Sequence, residues 1–151
     1  MLDRTLLEHI HSSPLTVSEM VQACCTIARE QIEIGDYEAG CAALQRWWNT
    51  GEWPRQFGLE PQAAAELMLT AGMLSGWVAG TGRVQGSQQL SEGLLNGGIA
   101  LFEHLGETPR AAEARIELGY CYYRQGLFEL ARTTFRSAFA ALPDAAHELK
   151  A

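Results

Sequence analysis

The sequence predicts an all-α protein made of helical hairpins that stack side by side. Apolar residues recur at three- and four-residue intervals over most of the 151 residues, which is the spacing of one face of an α-helix. Glycines interrupt this pattern at Gly35, Gly86 and Gly126. A glycine adopts positive φ at little cost and commonly ends a helix. Because a hairpin cannot bury its own apolar face, we expect three of them to pack into one short solenoid domain spanning residues 1–151.

The first hairpin is predicted at about residues 16–48. Thr16 and Glu19 have the spacing of a capping box and open its first helix. Gly35 and Asp36 make the turn. The inward positions of the two helices are occupied by apolar side chains, namely Met20, Val21, Cys24, Ile27, Ala28, Ile32, Leu44 and Trp47.

The segment around this hairpin carries two further predictions. Residues 49–60 contain two glycines and a proline and are expected to form a loop. Trp47 and Trp48 are adjacent and would point about 100° apart on a helix, so only one of them enters the core directly. The other indole is either an exposed contact site or is covered by the loop, and we favour cover by the loop. Residues 1–12 are expected to cap this end of the chain.

The middle hairpin is predicted at about residues 61–106. Its first helix runs from Pro61 to about Arg83, and its second runs from Ser87 or Gln88 to His104. The hairpin is rich in glycine, and each glycine inside a helix costs up to about 1 kcal/mol relative to alanine. We therefore expect these glycines to allow close helix packing and bending.

The last hairpin is predicted at about residues 108–143. Thr108 is expected to cap its first helix, with Pro109 at the first helical position. The stretch from Leu118 to Pro143 places residues in a distinctive order: Leu118, Gly119, Tyr122, Gly126, Ala131, Phe135, Ala138 and Pro143. Leu127, Leu130 and Phe139 are also expected to face inward on its second helix. Residues 144–151 are expected to form a terminal segment.

This order and spacing resemble a tetratricopeptide repeat (TPR), most clearly in the last hairpin. The phrase from Ile99 to Glu107 resembles the end of the forty-residue variety of that repeat, and Gly86 lies forty positions before Gly126. The turn at Gly35, Asp36 and Tyr37 resembles the corresponding turn of the family. The resemblance implies a short right-handed α-solenoid and favours a binding role without chemistry of its own.

Composition excludes some functions. The formal net charge is −7, from 11 Lys+Arg and 18 Asp+Glu, which argues against sequence-independent nucleic-acid binding. Asp3 and Glu8 interrupt the region where a signal peptide needs an apolar core, and no run reaches the roughly 18 apolar residues of a membrane span. The four cysteines suit a reducing compartment. We therefore expect a cytoplasmic protein that binds neither nucleic acid nor membrane.

No pattern points to a catalytic, cofactor or metal site. The glycines of the segment from Gly80 to Gly86 have the wrong spacing for a dinucleotide loop, and a helix rather than a strand precedes them. The cysteines form no C-x-x-C pair and none lies at ligand spacing from a histidine. Because no nucleophile is paired with a base in sequence, we predict a protein that is not an enzyme.

The resemblance also implies where a partner would bind. In this family the first helices of the repeats line a concave wall. That placement assigns the following residues to the wall: Cys25, Arg29, Ile32, Met73, Gly76, Gly80, Arg83, Glu113, Ile116, Tyr120, Tyr123 and Arg124. The predicted partner contacts are Tyr120, Tyr123, Arg124, Arg83 and Arg29, since arginine forks suit carboxylates and tyrosines anchor interfaces. These arginines are alternatively solvated or paired within the chain.

The leading functional expectation is an adaptor that holds a peptide or protein segment in this concave groove. The main alternative is a ligand- or peptide-sensing domain of a larger regulatory protein, because forty-residue arrays resemble those of bacterial transcriptional regulators and signalling proteins. A third possibility is self-assembly into a homo-oligomer. The family members that clamp an acidic chaperone tail use Lys and Asn, whereas this chain has Glu113 and Glu117 at two of those places, which disfavours that partner.

Overall fold

A computed structural model describes residues 14–82 and 84–142, and these residues form helices and no strand. The helices are α1 Val17–Glu33, α2 Tyr37–Ala43, α3 Pro61–Thr81, α4 Ser87–His104, α5 Thr108–Arg124 and α6 Phe128–Ala140. They form three hairpins in chain order, α1–α2, α3–α4 and α5–α6, as in a helical-repeat solenoid. The all-α prediction is confirmed. The predicted terminal segments, residues 1–12 and 144–151, lie outside the described residues.

The chain reverses at the three predicted glycines. Gly35, Gly86 and Gly126 have φ of +82°, +82° and +79°, a backbone conformation that other residues rarely adopt. Asp36 follows the first of them and accepts a hydrogen bond from the backbone N–H of Ala39 at 3.0 Å, which caps α2. The hairpin turns are therefore set by local backbone chemistry.

The second helix of the first hairpin is shorter than predicted. It ends at Ala43, and Leu44 and Trp47 follow it in a turn rather than on the helix. The Arg55 side chain donates to the Gln45 carbonyl at 3.3 Å and to the Arg46 carbonyl at 3.1 Å. These bonds satisfy carbonyl groups that a longer helix would have paired internally.

The loop after α2 covers the tryptophan pair. Trp47 and Trp48 are only 9 % and 1 % exposed, and the Trp48 indole N–H donates to the Glu52 carbonyl at 2.9 Å. The prediction that the loop covers the second indole is confirmed. Trp53, farther along the loop, is half exposed and lies against Gly93 of α4.

The buried face of α1 differs from the prediction. The helix buries Ser18, Val21, Cys25 and Ala28, whereas Cys24 is half-buried and Ile27 is exposed. Apolar residues occupy two adjacent faces of α1, so the sequence pattern could not decide which face meets α3. The placement of Ile27 in the core and of Cys25 on the concave wall is wrong for this reason, whereas Cys24 is partly buried and packs against the core.

Glycines bring the helices of the second and third hairpins into close contact. A Cβ atom added to Gly72 would lie 2.9 Å from the Leu95 side chain, and one added to Gly119 would lie 2.6 Å from the Phe135 ring. Real Cβ atoms do not approach other atoms so closely, so a side chain at either position would force its neighbour to shift. The prediction of close packing at the glycines of the middle hairpin is confirmed at Gly72.

The last hairpin departs from the prediction at two places. Thr108 is the first residue of α5 and not its cap, because Glu107 takes the cap position and no side chain bonds the first turn. On α6 the core is formed by Ala131 and Ala138. The side chains of Leu127, Leu130 and Phe139 are 46 %, 46 % and 38 % exposed, because α6 packs mainly against α5 and is the last helix of the described residues.

Candidate functional site

The first helices of the three hairpins enclose a groove. Two adjoining cavities of about 360 Å³ and 540 Å³ lie between α1, α3 and α5, and both are lined by Ile32, Met73 and Glu117. The shared residues make one continuous groove, which we call the concave groove. Its remaining lining residues are Thr26, Arg29, Glu30, Glu33, Tyr37, Leu69, Gly76, Trp77, Gly80, Thr81, Glu113, Ile116, Tyr120 and Arg124.

Most positions that the sequence assigned to the concave wall do line this groove. They are Arg29, Ile32, Met73, Gly76, Gly80, Glu113, Ile116, Tyr120 and Arg124. Cys25, a residue of α1, does not line the groove, because its side chain is fully buried in the core. Arg83 lies outside the described residues.

Tyr123 lies away from the groove. Its side chain is 59 % exposed and its ring packs edge to face on the Phe128 ring of α6, with centroids 5.4 Å apart. It does not line either cavity. Its role in partner binding stays a prediction from the sequence.

Arg29 is paired within the chain. Its Nη1 atom lies 3.5 Å from Oε2 of Glu66, a residue of α3 that is only 8 % exposed. The same carboxylate accepts two hydrogen bonds from the Arg110 guanidinium, one of them at 2.9 Å from Nε to Oε1. Arg110 also lies over the Phe102 ring, 5.5 Å from its centroid. Glu66 therefore joins α1, α3 and α5 by charge.

Tyr120 and Arg124 lie on one face of α5 at the other end of the groove. Tyr120 is 48 % exposed, and its ring rests on the Phe135 ring at a centroid distance of 5.2 Å. Arg124 donates to the Cys121 sulfur at 3.3 Å. Within residues 14–82 and 84–142, no carboxylate lies at ion-pair distance from it.

Gly76 makes room for this arginine. A Cβ atom at that position would lie 2.6 Å from the Arg124 Nη2 atom. A larger residue at this position of α3 would displace the guanidinium, so the glycine allows Arg124 to lie against α3. The free N–H groups of Arg124 remain available to an acceptor brought by a ligand.

Two aromatic residues of the groove were missed from the sequence. Tyr37 and Trp77 stack with ring centroids 5.2 Å apart and an interplanar angle of 6°. Trp77 follows Met73 by one helical turn on α3, and that spacing was a sufficient signal. Tyr37 was assigned only to the turn, and its place in the groove depends on the tertiary packing of α2 against α3.

Glu117 lies where the two cavities meet. Burial raises the pKa of its carboxyl, and Glu113 raises it further, while the positive charge of Arg124 acts in the opposite direction. Since a carboxylate loses hydration when it is buried, the ionised form is disfavoured in the folded protein. Glu117 therefore gives up its proton less readily in the folded protein than in water, although Arg124 compensates part of this effect.

We expect Glu117→Gln to stabilise the fold at neutral pH. The folded state binds the Glu117 proton more tightly than the unfolded state, so its ionisation weakens the fold as pH rises from the unfolded pKa through the higher folded pKa. Each pKa unit of such a difference is equivalent to about 1.4 kcal/mol. Urea unfolding of both proteins at several pH values measures the effect. The advantage of the variant should be largest at neutral pH and shrink towards acid pH, and an advantage that does not depend on pH would contradict the assignment.

The described residues offer little for catalysis or metal binding. Within the described chain, no three His, Cys, Asp or Glu side chains are close enough to hold a metal ion. Burial raises the pKa of the Cys25 thiol to about 12, so it is protonated at neutral pH and is a poor nucleophile. The groove instead offers apolar, aromatic and charged side chains on three rigid helices. This combination suits non-covalent binding.

The fold and the groove together define a helical-repeat protein with a concave surface. Residues 89–151, the last part of the chain, match the family model described as tetratricopeptide repeat, and this match agrees with the helical-repeat fold. Such repeats generally mediate protein–protein interaction, and the family is typically made up of non-enzymatic scaffolds and adaptors. Comparison with curated proteins and with solved structures found no match. None of the described helices is both long enough and apolar enough to span a bilayer.

Proposed function

We propose that this chain is a cytoplasmic adaptor that binds a peptide or an extended protein segment in the concave groove and has no catalytic activity. The observation that carries the proposal is the continuous lining of the groove by α1, α3 and α5, which presents Tyr120 and Arg124 to a ligand. Rigid helices hold both side chains, so little conformational entropy is lost when a ligand binds.

The two residues have complementary roles in this proposal. The exposed Tyr120 ring offers apolar area together with a polar hydroxyl, which is the chemistry of an interface anchor. Arg124 offers a planar fork of donors to a carboxylate of the ligand. Arg29 contributes less to ligand binding, because its positive charge is already paired with the Glu66 carboxylate. Partner contacts made by Arg83 and Tyr123 remain predictions from the sequence.

The shape of the groove supports a peptide more than an enclosed small molecule. Both cavities are partly open to solvent, and charged side chains line each of them. A ligand-sensing domain would be expected to bury most of a small ligand in a largely apolar pocket. The open, mixed surface is better suited to an extended chain that lies along the helices.

We expect the double substitution Tyr120→Ala with Arg124→Ala to weaken peptide binding by at least about tenfold, as the loss of an aromatic anchor and a charged fork does at other interfaces. The test begins with selection of random linear peptides on the immobilised protein. The affinity of the selected peptides for each variant is then measured by fluorescence anisotropy. The melting temperature should change little, because both side chains are exposed.

A matched control removes an exposed aromatic residue and an exposed arginine outside the groove. Phe57→Ala with Arg136→Ala serves this purpose, since both residues are exposed and neither lines either cavity. The control should keep full affinity. Equal binding by the control and by the groove variant would reject the groove as the binding site.

A further inference from the structure

One end of the concave groove is strongly acidic. The cavity of about 360 Å³ is lined by four carboxylates and one guanidinium, the latter from Arg29. We call this end the acidic cavity. Its carboxylates come from two helices, and they are Glu30 and Glu33 of α1 and Glu113 and Glu117 of α5.

Most of this negative charge has no partner within the described part of the chain. Arg29 is engaged by Glu66, and Arg110 pairs with Glu113. No arginine of the described residues lies at ion-pair distance from Glu30, Glu33 or Glu117. Burial raises the pKa of Glu117, which agrees with an uncompensated carboxylate facing the cavity. A cation brought by a ligand would relieve this repulsion.

The same cavity has an apolar floor. Leu69 and Met73 of α3 line it, together with Ile32 and Ile116 from the flanking helices. Lysine and arginine combine an aliphatic stem with a charged head, so the stem contacts apolar surface while the head reaches the carboxylates. A metal ion fits less well, because the described residues contain no cluster of three ligating groups.

We propose that the acidic cavity binds a lysine or arginine side chain of the partner segment, so that the partner is a basic peptide stretch of another protein. This inference rests on the proposed function and names the chemistry of its ligand. The adjoining cavity, with Tyr37, Trp77 and Tyr120, receives a neighbouring apolar or aromatic residue of the same segment. The net charge of −7 attracts such a segment from a distance and repels nucleic acid.

The length of the groove gives the spacing of these partner residues. From Glu113 to Arg124, α5 rises by about 1.5 Å per residue, so the groove extends over roughly 16 Å. An extended peptide covers that length with about five residues at about 3.3 Å per residue. The basic residue and the apolar residue should therefore lie within a short motif of one peptide.

The test uses random linear peptides displayed on phage and selected on the full chain. We expect the peptides that depend on the groove to be enriched in lysine or arginine. Synthetic copies of them should lose about tenfold in affinity for the variant Glu113→Gln with Glu117→Gln, because partly buried charge pairs contribute on this scale. The affinity should also fall as salt is added.

A second variant controls for net charge. Glu60→Gln with Glu129→Gln removes two exposed carboxylates that line neither cavity, so it changes the total charge equally and should leave the affinity nearly unchanged. Groove-dependent peptides without lysine or arginine, or equal losses in the two charge variants, would overturn this inference alone. If no selected peptide depends on Tyr120 and Arg124, the proposed function fails together with it.

Discussion

Replacing Glu66 with alanine should destabilise the protein by about 3–5 kcal/mol, the range observed when one member of a buried ion pair is removed. Glu66 is 8 % exposed and forms ion pairs with Arg110 and Arg29, whose side chains are 18 % and 30 % exposed. Without the carboxylate, Arg29 loses its ion pair and Arg110 keeps only the more exposed carboxylate of Glu113, while both guanidinium groups stay partly buried. A domain of this size has a total stability of about 5–15 kcal/mol, so the loss is a large share of it.

Urea unfolding followed by circular dichroism measures this effect. The matched control is Glu129→Ala, which removes a carboxylate from a pair with Arg132 at 3.7 Å in which both side chains are mainly exposed. That change should cost less than about 1 kcal/mol, because exposed pairs contribute little and the helix N-terminus adds only a modest term. Similar losses in the two variants would contradict the structural role given to Glu66.

Replacing Trp48 with alanine should cost about 3–5 kcal/mol, as for other large aromatic residues deleted from a core. The indole is 1 % exposed and belongs to an apolar core cluster that also contains Leu44 and Leu74. The substitution leaves a large cavity and also removes the bond from the indole N–H to the Glu52 carbonyl. Since that bond holds the loop over the hairpin, the loop should also become more accessible to protease.

Trp53→Ala is the control for this prediction. It deletes the same side chain from the same loop, but Trp53 is half exposed. We expect a loss of about 1 kcal/mol or less, in the range of surface substitutions. The two variants are compared by thermal and urea unfolding, and a loss at Trp53 equal to that at Trp48 would show that the loop is not organised around the buried indole.

The sequence predicted the helices and turns well because those features depend on local chemistry. The capping box at Thr16 forms as expected, with the Thr16 hydroxyl accepting from the Glu19 N–H at 3.1 Å. The reversals at Gly35, Gly86 and Gly126 likewise need only the backbone freedom of one residue. The end of α2 was missed because the turn that follows it is stabilised by long-range bonds from Arg55 to the carbonyls of Gln45 and Arg46.

The groove was predicted in outline from the family resemblance, and its details depend on tertiary contacts. Helical spacing placed Tyr120 and Arg124 on the correct face of α5. It could not show that Glu66, an acidic residue among the buried apolar residues of α3, would pair with Arg110, forty-four positions away in the sequence. It also could not choose between two apolar faces of α1, which is why Cys25 was misplaced.

The positions of the side chains that line the groove depend on packing between helices as well as on which residues the sequence supplies. The positions of Arg124 and Gly76 depend on each other, since any side chain at the glycine would displace the guanidinium. The stacked pair of Tyr37 and Trp77 joins the start of α2 to α3 and gives the groove an aromatic wall. A rigid wall of this kind favours binding because it is preorganised before the ligand arrives.

The central claim is that the face formed by α1, α3 and α5 is the binding surface. Its most direct test is a nuclear magnetic resonance titration of the isotope-labelled protein with a peptide selected on it. The claim predicts the largest chemical-shift changes at groove residues such as Ile32, Met73 and Tyr120, with small changes on α4, on α6 and on α2 beyond Tyr37. Changes concentrated on α4, on α6 or on α2 beyond Tyr37, with the groove residues unmoved, would contradict it.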